Sequence, residues 1–458
     1  MNKRPTDGLS GAAVLARARG RSPKGARCLP LRRAHTIRTL WRGGLLAVCG
    51  LGTAWMAGAQ DRLSLDQAVA EALQNNVGLL AEKANIAIAE AKILSARLRP
   101  NPVVSASGDH LDVLGTGFSE TNGGGPAEYT VRMDFPIEVG GKRARRTEVA
   151  QLARSVTELQ FRNAVRGVAL EVANAFVDAQ VARESLHLAK ENLTYFEGIV
   201  EVNLARLRAG EIAEVELLRS RLASLQQRNL ARGAEARWRA GLIRLQTAMG
   251  RTSPSMTLEL VGDLRRDAGL PERDQLRQAA FEQRPDLLAL RQDLARAGAD
   301  IRSQVSQAKV DPTVGTEYRR QQGINGMSNS TGVFLEVPLP VFSRNQGEIE
   351  RARQEQRQAE LRIRQLQILI TGEVDAAHEE MLAADGLLRN IEGEMLEQAR
   401  DVRRVTEYSY RRGHVTLLEL LDAQRTYNET LQAHIDARAA YARSLYLLDS
   451  VAGRTVTK

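Results

Sequence analysis

The chain has 458 residues, of which 43% are hydrophobic, 4% aromatic and 26% charged, and its formal net charge is +9. That excess is confined to the start: residues 1–59 hold 11 Lys and Arg against the single acid Asp7, while the rest holds 53 basic and 54 acidic residues, a balance of −1. No basic footprint is left for a polyanion, so the composition excludes a nucleic-acid partner.

Residues 1–59 read as an export leader. The basic residues Arg32, Arg33, Arg38 and Arg42 precede an apolar stretch from Leu45 to Met56, and Ala57-Gly58-Ala59 supplies a small-residue cleavage site. The apolar stretch falls short of the roughly 20 residues that span a bilayer as a helix. Both cysteines, Cys28 and Cys49, lie in this leader, so the processed chain has no disulfide, thiol or Cys-based metal chemistry. Leu46-Ala47-Val48-Cys49 approximates a lipoprotein cleavage box, with Val48 where a small residue is wanted.

After the leader, Leu65-Asp66-Gln67-Ala68 opens a helix capped by Ser64 or Asp66. A second helix runs to about Leu98, halted by Pro100 and Pro102. The period then changes to two. Tyr129, Val131, Met133, Phe135 and Ile137 alternate with Glu128, Thr130, Arg132 and Asp134, and a weaker run over 103–113 precedes them across the polar loop Leu114–Pro126. Length, alternation and turn composition match a transmembrane β-hairpin. From Lys142 to about Leu207 there is no proline, and apolar residues such as Leu186, Ala189, Leu193, Phe196 and Val200 recur in steps of three and four. This is a coiled-coil seam on a rod of about 100 Å. Gly210 ends the rod, and an antiparallel partner helix fills about 213–249.

The stretch Arg251–Leu270 joins this half to a second version of itself, offset by about 203 positions. Helices are predicted over Arg273–Gln283 and from Pro285 to Lys309. Strands follow over 312–320 and Val333–Val341, separated by a polar loop Gln321–Ser330, with Pro338 and Pro340 ending the second. A rod over 345–410, a stop at Gly413 and a partner helix over about 415–451 complete the half. The expected organisation is a leader (1–59), a first repeat (60–250), a linker (251–270) and a second repeat (271–458). Four strands cannot close a barrel, since the smallest single-chain barrels have about eight, and lipid does not tolerate open edges. If the strands span a membrane, several chains must pool them.

The segments Leu65-Asp66-Gln67-Ala68-Val69-Ala70-Glu71-Ala72-Leu73, Arg284-Pro285-Asp286-Leu287, Tyr410-Arg411-Arg412-Gly413 and Leu418-Glu419-Leu420-Leu421-Asp422-Ala423, with the duplicated element order, make the chain resemble the TolC-like outer-membrane efflux proteins. Phe135-Pro136-Ile137-Glu138-Val139-Gly140-Gly141-Lys142-Arg143 looks most like the branch serving heavy-metal cation pumps. The resemblance implies a mainly α fold in which a homotrimer pools its strands into a shared outer-membrane β-barrel of about 12 strands above a periplasmic α-helical tunnel. It implies conduction rather than catalysis, no cofactor or bound metal, and as partners a periplasmic adaptor, an inner-membrane pump and outer-membrane lipid.

Matched residue by residue, Glu419 and Asp422 fall where the family places acidic rings at the tunnel entrance. Their other reading is a solvated coiled-coil face. As crowded like charges they are expected to be replaceable at little cost in stability. Tyr410 and Glu216 match positions whose hydrogen bonds help close the entrance, and Gly210 and Gly413 mark the adaptor-facing tips. Val415 stands where the type member has a gating arginine, leaving Arg411, Arg412 or Arg219 to serve a different lock. The histidines after the leader (His110, His187, His378, His414, His434) show no metal-ligand spacing, and His378-Glu379-Glu380 reads as helix surface. Three other readings compete. The same channel could serve a drug or small-molecule exporter. A periplasmic coiled-coil adaptor would carry one hairpin between split β-rich halves. A structural coiled coil would need neither leader nor alternating strands.

Overall fold

The computed structural model describes residues 62–455 apart from 112, 116, 118–124, 268, 270 and 324. The predicted leader therefore lies outside the described residues. In chain order the elements are β1 (Arg62–Leu63), α1 (Leu65–Asn75), α2 (Val77–Arg97), β2 (Val103–Asp109), β3 (Glu128–Pro136), α3 (Lys142–Arg208) and α4 (Glu214–Ala248). Then come β4 (Glu259–Leu260), α5 (Arg273–Gln283), α6 (Pro285–Gln307), β5 (Thr313–Gly323), β6 (Gly326–Glu336), α7 (Gln346–Asn390), a π-helical turn (Ile391–Met395), α8 (Leu396–Arg411) and α9 (Leu417–Val451). Among the described residues no helix is long and apolar enough to cross a membrane.

The cap of α1 is Ser64, in a reciprocal capping box with Gln67. Each long hairpin is turned by the same device. The amides of Gly210 and Glu211 donate back to the carbonyls of Leu207 and Arg206, and those of Gly413 and His414 to Tyr410 and Ser409. This is the Schellman closure, which needs a left-handed residue at its hinge; φ is 76° at Gly210 and 78° at Gly413. The returning helices end the same way at Gly250 and Gly453. There the glycines also abut backbone. A Cβ on Gly250 would lie 2.5 Å from the Asn75 carbonyl oxygen, and one on Gly453 2.9 Å from the Arg284 nitrogen. Both contacts fall at a junction between two consecutive helices, α1 with α2 and α5 with α6.

Two apolar cores flank these junctions. One gathers Val69 and Ala72 of α1, Val172 and Phe176 of α3, and Leu242 and Leu245 of α4. The other gathers Leu276 of α5, Ile370, Val374 and Met381 of α7, and Leu445 and Leu448 of α9. Each fully buried Leu, Ile or Phe contributes roughly 1.5–3 kcal/mol. Small residues let the helices close up: Gly241 on α4 sits against the Ala179 backbone of α3, where an added Cβ would be 3.4 Å from the Ala179 Cα. Charge completes the joint. Arg284, only 3% exposed, donates to Asp286 (3.1 and 2.6 Å) and to Glu373 (2.5 Å), tying the start of α6 to α7. Burial alone would raise the Asp286 carboxyl, but the Arg284 hydrogen bond and charge outweigh it and hold the group below the usual carboxylate range. In the linker, Arg265 similarly joins Asp267 (2.6 Å) to Asp449 of α9 (2.5 Å).

The four long strands form one antiparallel sheet in the order β2-β3-β5-β6. Register sorts its faces. Val104, Tyr129, Val131, Met133, Phe135, Tyr318, Val333 and Leu335 share one face, all exposed. The other carries Arg132, Asp134, Glu317, Arg319 and Glu336, with Arg132 bonded to Asp134 (2.8 Å) and stacked 3.5 Å above the Phe334 ring. Phe334 lies across Gly315, where any Cβ would collide with the ring.

The structure corrects five expectations of the fold. The strand predicted over Val333–Val341 lies instead over Gly326–Glu336, because Pro338 and Pro340 lack the amide a ladder needs. The stretch Gln321–Ser330 is not a polar loop: β5 and β6 pair through it to Gly323 and Gly326. Polar composition misled there, because the ladder satisfies the backbone whatever the side chains are. The strand predicted over 103–113 stops at Asp109, where His110 takes a positive φ of 55°. His378 is buried rather than at the surface, its Nε2 lying 3.2 Å from the Pro271 carbonyl oxygen. The second rod is interrupted by the π turn at Ile391–Met395, whereas α3 runs unbroken. Glu171-Val172 and Glu373-Val374 stand 202 apart, but Gly210 and Gly413 stand 203 apart. The second rod thus holds one surplus residue between Glu373 and Gly413, and a wider turn absorbs a single insertion without losing the seam.

Gly250→Ala should lower the unfolding midpoint in detergent, at a cost of about 1–2 kcal/mol for the left-handed backbone before any clash with Asn75 is added. Gly233→Ala, inside α4 with open space at its Cβ, should instead raise it by up to about 1 kcal/mol. Similar shifts from the two would refute the junction argument.

Candidate functional site

The candidate site is the end of the bundle where α3 turns into α4 and α8 into α9. A small cluster of Ile199, Tyr410, Leu417 and Leu420 closes it, with Tyr195, Val415 and Leu421 packed alongside. At its centre Tyr410 is 3% exposed, and its hydroxyl donates to Asn203 Oδ1 at 2.6 Å. The Arg206 guanidinium lies 5.4 Å from the Tyr410 ring and also reaches Glu211 at 3.3 Å. Burial dominates the Tyr410 environment and pushes its hydroxyl above the ordinary tyrosine range, against the lowering effect of Asn203. Glu216, half-buried, acts on Tyr410 only through its charge; the hydroxyl's partner is Asn203. Nothing in the sequence singles out Asn203 and Arg206, because an Asn and an Arg on a coiled-coil rod carry no local signal of a cross-helix partner.

Behind this cluster the interior of the hairpins holds buried polar side chains among its apolar ones. Gln424 of α9, 1% exposed, donates to Asn192 of α3 (3.3 Å) and to Asn428 (2.9 Å). Arg403 of α8 sits between two tyrosine rings, 4.5 Å from Tyr427 and 5.6 Å from Tyr195. Burial pushes the Tyr195 hydroxyl up to about 12, with the nearby Glu407 charge adding to it. Of the three arginines offered for a lock, Arg411 pairs with Glu407 (2.7 Å), Arg412 stacks over Tyr408 (4.5 Å) and Arg219 is exposed on α4.

Glu419 and Asp422 lie one turn apart at the start of α9, and their charges are differently engaged. Thr416 caps α9, with the Glu419 amide donating to Thr416 Oγ1 at 3.4 Å. In return the Glu419 carboxylate accepts from the Thr416 amide (2.6 Å) and hydroxyl (2.9 Å). These bonds lower its affinity for a proton, the backbone one most. The expectation that Glu419 could be replaced at little cost therefore fails, because it closes a capping box whose Thr-x-x-Glu spacing stands in the sequence. Asp422 is exposed and pairs with Arg425 at 2.8 Å; an exposed pair of this kind contributes little to stability. Among the described residues no group of three or more His, Cys, Asp or Glu is placed to hold a metal ion.

The profile of a family described as outer membrane efflux protein matches residues 68–251 and 276–454. The chain is 24% identical over 398 residues to the cobalt-zinc-cadmium resistance protein CzcC of Cupriavidus metallidurans, covering 86% of this chain and 91% of that protein. It is 26% identical over 400 residues to the pyoverdine export outer membrane protein OpmQ of Pseudomonas aeruginosa, covering 82% of each. Its fold matches the crystal structure of the Campylobacter jejuni CmeC outer membrane channel, with a TM-score of 0.67 at 15% identity over 86% of this chain and 87% of that one.

Two outcomes are expected at the tip. Tyr410→Phe leaves the buried Asn203 carbonyl unpaired, a loss of about 1–3 kcal/mol. Amide exchange should quicken around residues 195–215 and 405–421 while staying unchanged in the apolar cores. Uniform acceleration would show that the tip is not a separate unit. Glu419→Ala should fray the first turn of α9 in the same measurement, whereas Glu419→Gln, which can still close the box, should not. Because the folded Glu419 holds its proton less tightly than a free glutamate, its contribution is full above the ordinary glutamate value and fades only below it.

Proposed function

The chain belongs to the outer membrane efflux protein family, and from that premise we propose that three copies form one conduit exporting heavy-metal cations, docked on a periplasmic adaptor and an inner-membrane pump. The chain itself is an outer-membrane efflux channel, a transport component whose task of conduction calls for no catalytic residue.

The observation that carries the assembly is the sheet. One face carries an exposed apolar band, with Arg320 beside Tyr129 at the end away from the helices, the other is charged, and neither edge strand, β2 or β6, has a second strand partner among the described residues. Three chains would pool about twelve strands, enough to close a barrel and leave no edge in lipid. On this reading the apolar face meets lipid, the charged face lines the lumen, and the long helices extend into the periplasm. The matching closures at Gly210 with Gly413 and at Gly250 with Gly453 support a duplicated chain with repeats at 60–250 and 271–458 joined by 251–270. The tips at Gly210 and Gly413 would face the adaptor. Glu419 and Asp422 would line the entrance beside the closure held by Tyr410, with Glu216 near it, and three copies would concentrate about six carboxylates in a narrow mouth that favours cations.

The substrate class rests on the cobalt-zinc-cadmium resistance relative. Export of a small organic molecule is the second reading, favoured by the pyoverdine export relative.

Crosslinking in mild detergent should trap three copies, and a stable folded monomer in the membrane would defeat the assembly. Disrupting the gene should raise sensitivity to zinc, cobalt or cadmium, with complementation restoring it. Unchanged metal tolerance with a lost secreted small molecule would favour the second reading. In planar bilayers Glu419→Gln with Asp422→Asn should reduce cation preference. The same neutral changes at Glu379, which pairs with Arg273, and at Glu380 should leave it intact.

A further inference from the structure

Below the sheet, where its strands give way to helices, the chain exposes two kinds of side chain that the channel reading does not use. The first is apolar. Ile137 extends β3 by one residue through a bond from its amide to the Pro312 carbonyl (2.9 Å), which keeps it on the apolar face. After β6 the proline-rich strap of residues 337–345 leaves Leu339 80% and Phe342 92% exposed, with Val337 and Val341 exposed beside them. No other large apolar side chain among the described residues is as open to solvent as Phe342.

The second kind is cationic. A cavity of about 390 Å³ at the foot of β3 is lined by Arg99, Pro100, Ile137, Lys142 and Arg143, with Glu138 in its wall. Two of these charges are engaged inside the chain: Lys142 donates to Asp311 at 2.7 Å and Glu138 accepts from Arg146 at 2.7 Å. Arg99 and Arg143 are exposed and have no carboxylate partner among the described residues. Arg97, Lys309 and Arg344 are further exposed cations in the segments that border the sheet, likewise without carboxylate partners among the described residues.

From this juxtaposition we infer that the sheet–helix boundary is a docking surface for anionic phospholipid of the periplasmic leaflet. Arg99 and Arg143 take the headgroup phosphate at the cavity, while Ile137, Leu339 and Phe342 lie among the upper acyl chains. The inference rests on the reading that the sheet spans the membrane. Charge complementarity and continuity with the apolar face commit the surface to lipid. A guanidinium fork matches two phosphate oxygens, basic side chains beside a bilayer are drawn to anionic headgroups, and an exposed apolar ring gains by leaving water for hydrocarbon. A soluble phosphate would use the arginines but leave the apolar strap without a role.

The full-length protein, purified in mild detergent, is titrated by native mass spectrometry with phosphatidylglycerol, phosphatidylcholine and inorganic phosphate. Wild type should retain phosphatidylglycerol preferentially, and inorganic phosphate at equal concentration should not displace it. Arg99→Gln with Arg143→Gln should weaken retention about thirtyfold, the loss of two basic contacts. Arg99→Lys with Arg143→Lys should recover much of it, which shows that the glutamine pair still folds. Phe342→Ser should weaken retention of both lipids, and Phe342→Trp should not. Equal retention by wild type and the glutamine pair, or displacement by inorganic phosphate, overturns the inference while leaving the membrane reading intact. Release of wild type from membranes by salt without detergent overturns the membrane reading itself.

Discussion

The architecture depends on where its long helices are made to stop. A seam of apolar residues at steps of three and four has no built-in end, so an uninterrupted rod would continue past its partner. Four glycines set the limits by taking the left-handed conformation that other residues reach only at a cost. Gly210 and Gly413 place the reversals, and Gly250 and Gly453 place the returns against the α1–α2 and α5–α6 junctions. Once these points are fixed, the lengths of α3 and of α7 with α8 fix the distance from sheet to tip. The one surplus residue of the second rod is then absorbed in a π turn.

Between those limits the bundle is held differently at its two ends. Around the junctions the cores are apolar and the buried charges are paired at short range, as Arg284 is with Asp286 and Glu373. Such pairs add little net stability against their desolvation, but losing one partner leaves a buried charge exposed to that full cost. They therefore act chiefly to fix the geometry at which α5, α6 and α7 meet. Toward the tip the polar side chains Asn192, Asn203 and Gln424 and the hydroxyl-bearing Tyr410 are buried beside a small apolar cluster of Ile199, Leu417 and Leu420. Polar residues in a helical seam trade stability for a single register, and a region with less apolar burial opens at lower free energy than the core.

The two faces of the sheet show the same division of labour in strand form. Register places every strongly apolar residue of β3 on one side and Arg132 with its carboxylates on the other. The charged face is crowded enough that Gly315 is needed for Phe334 to lie flat beneath Arg132. Where the strands end, the apolar face continues through Ile137, the strap exposes Phe342, and Arg99 and Arg143 lie exposed beside the foot of β3.

Much of this was legible in the sequence because it is periodic or punctuated. Alternation at Tyr129–Ile137, the seam of α3, Pro285 at a helix start and glycine at each reversal are signals carried by neighbours along the chain, and they fixed element type, order and approximate ends. The Thr416–Glu419 capping box was equally local and could have been read. What only tertiary structure decided are pairings between distant residues. Tyr410 bonds Asn203 rather than Glu216, His378 is buried beneath Pro271, and the polar run Gln321–Ser330 supplies the end of β5 and the start of β6 because each satisfies the other's backbone. Hydrophobic patterning specifies which face of an element is buried, but not which polar group waits on the facing element. That choice is made by the packed geometry, where an unmet hydrogen bond costs more than a met one contributes.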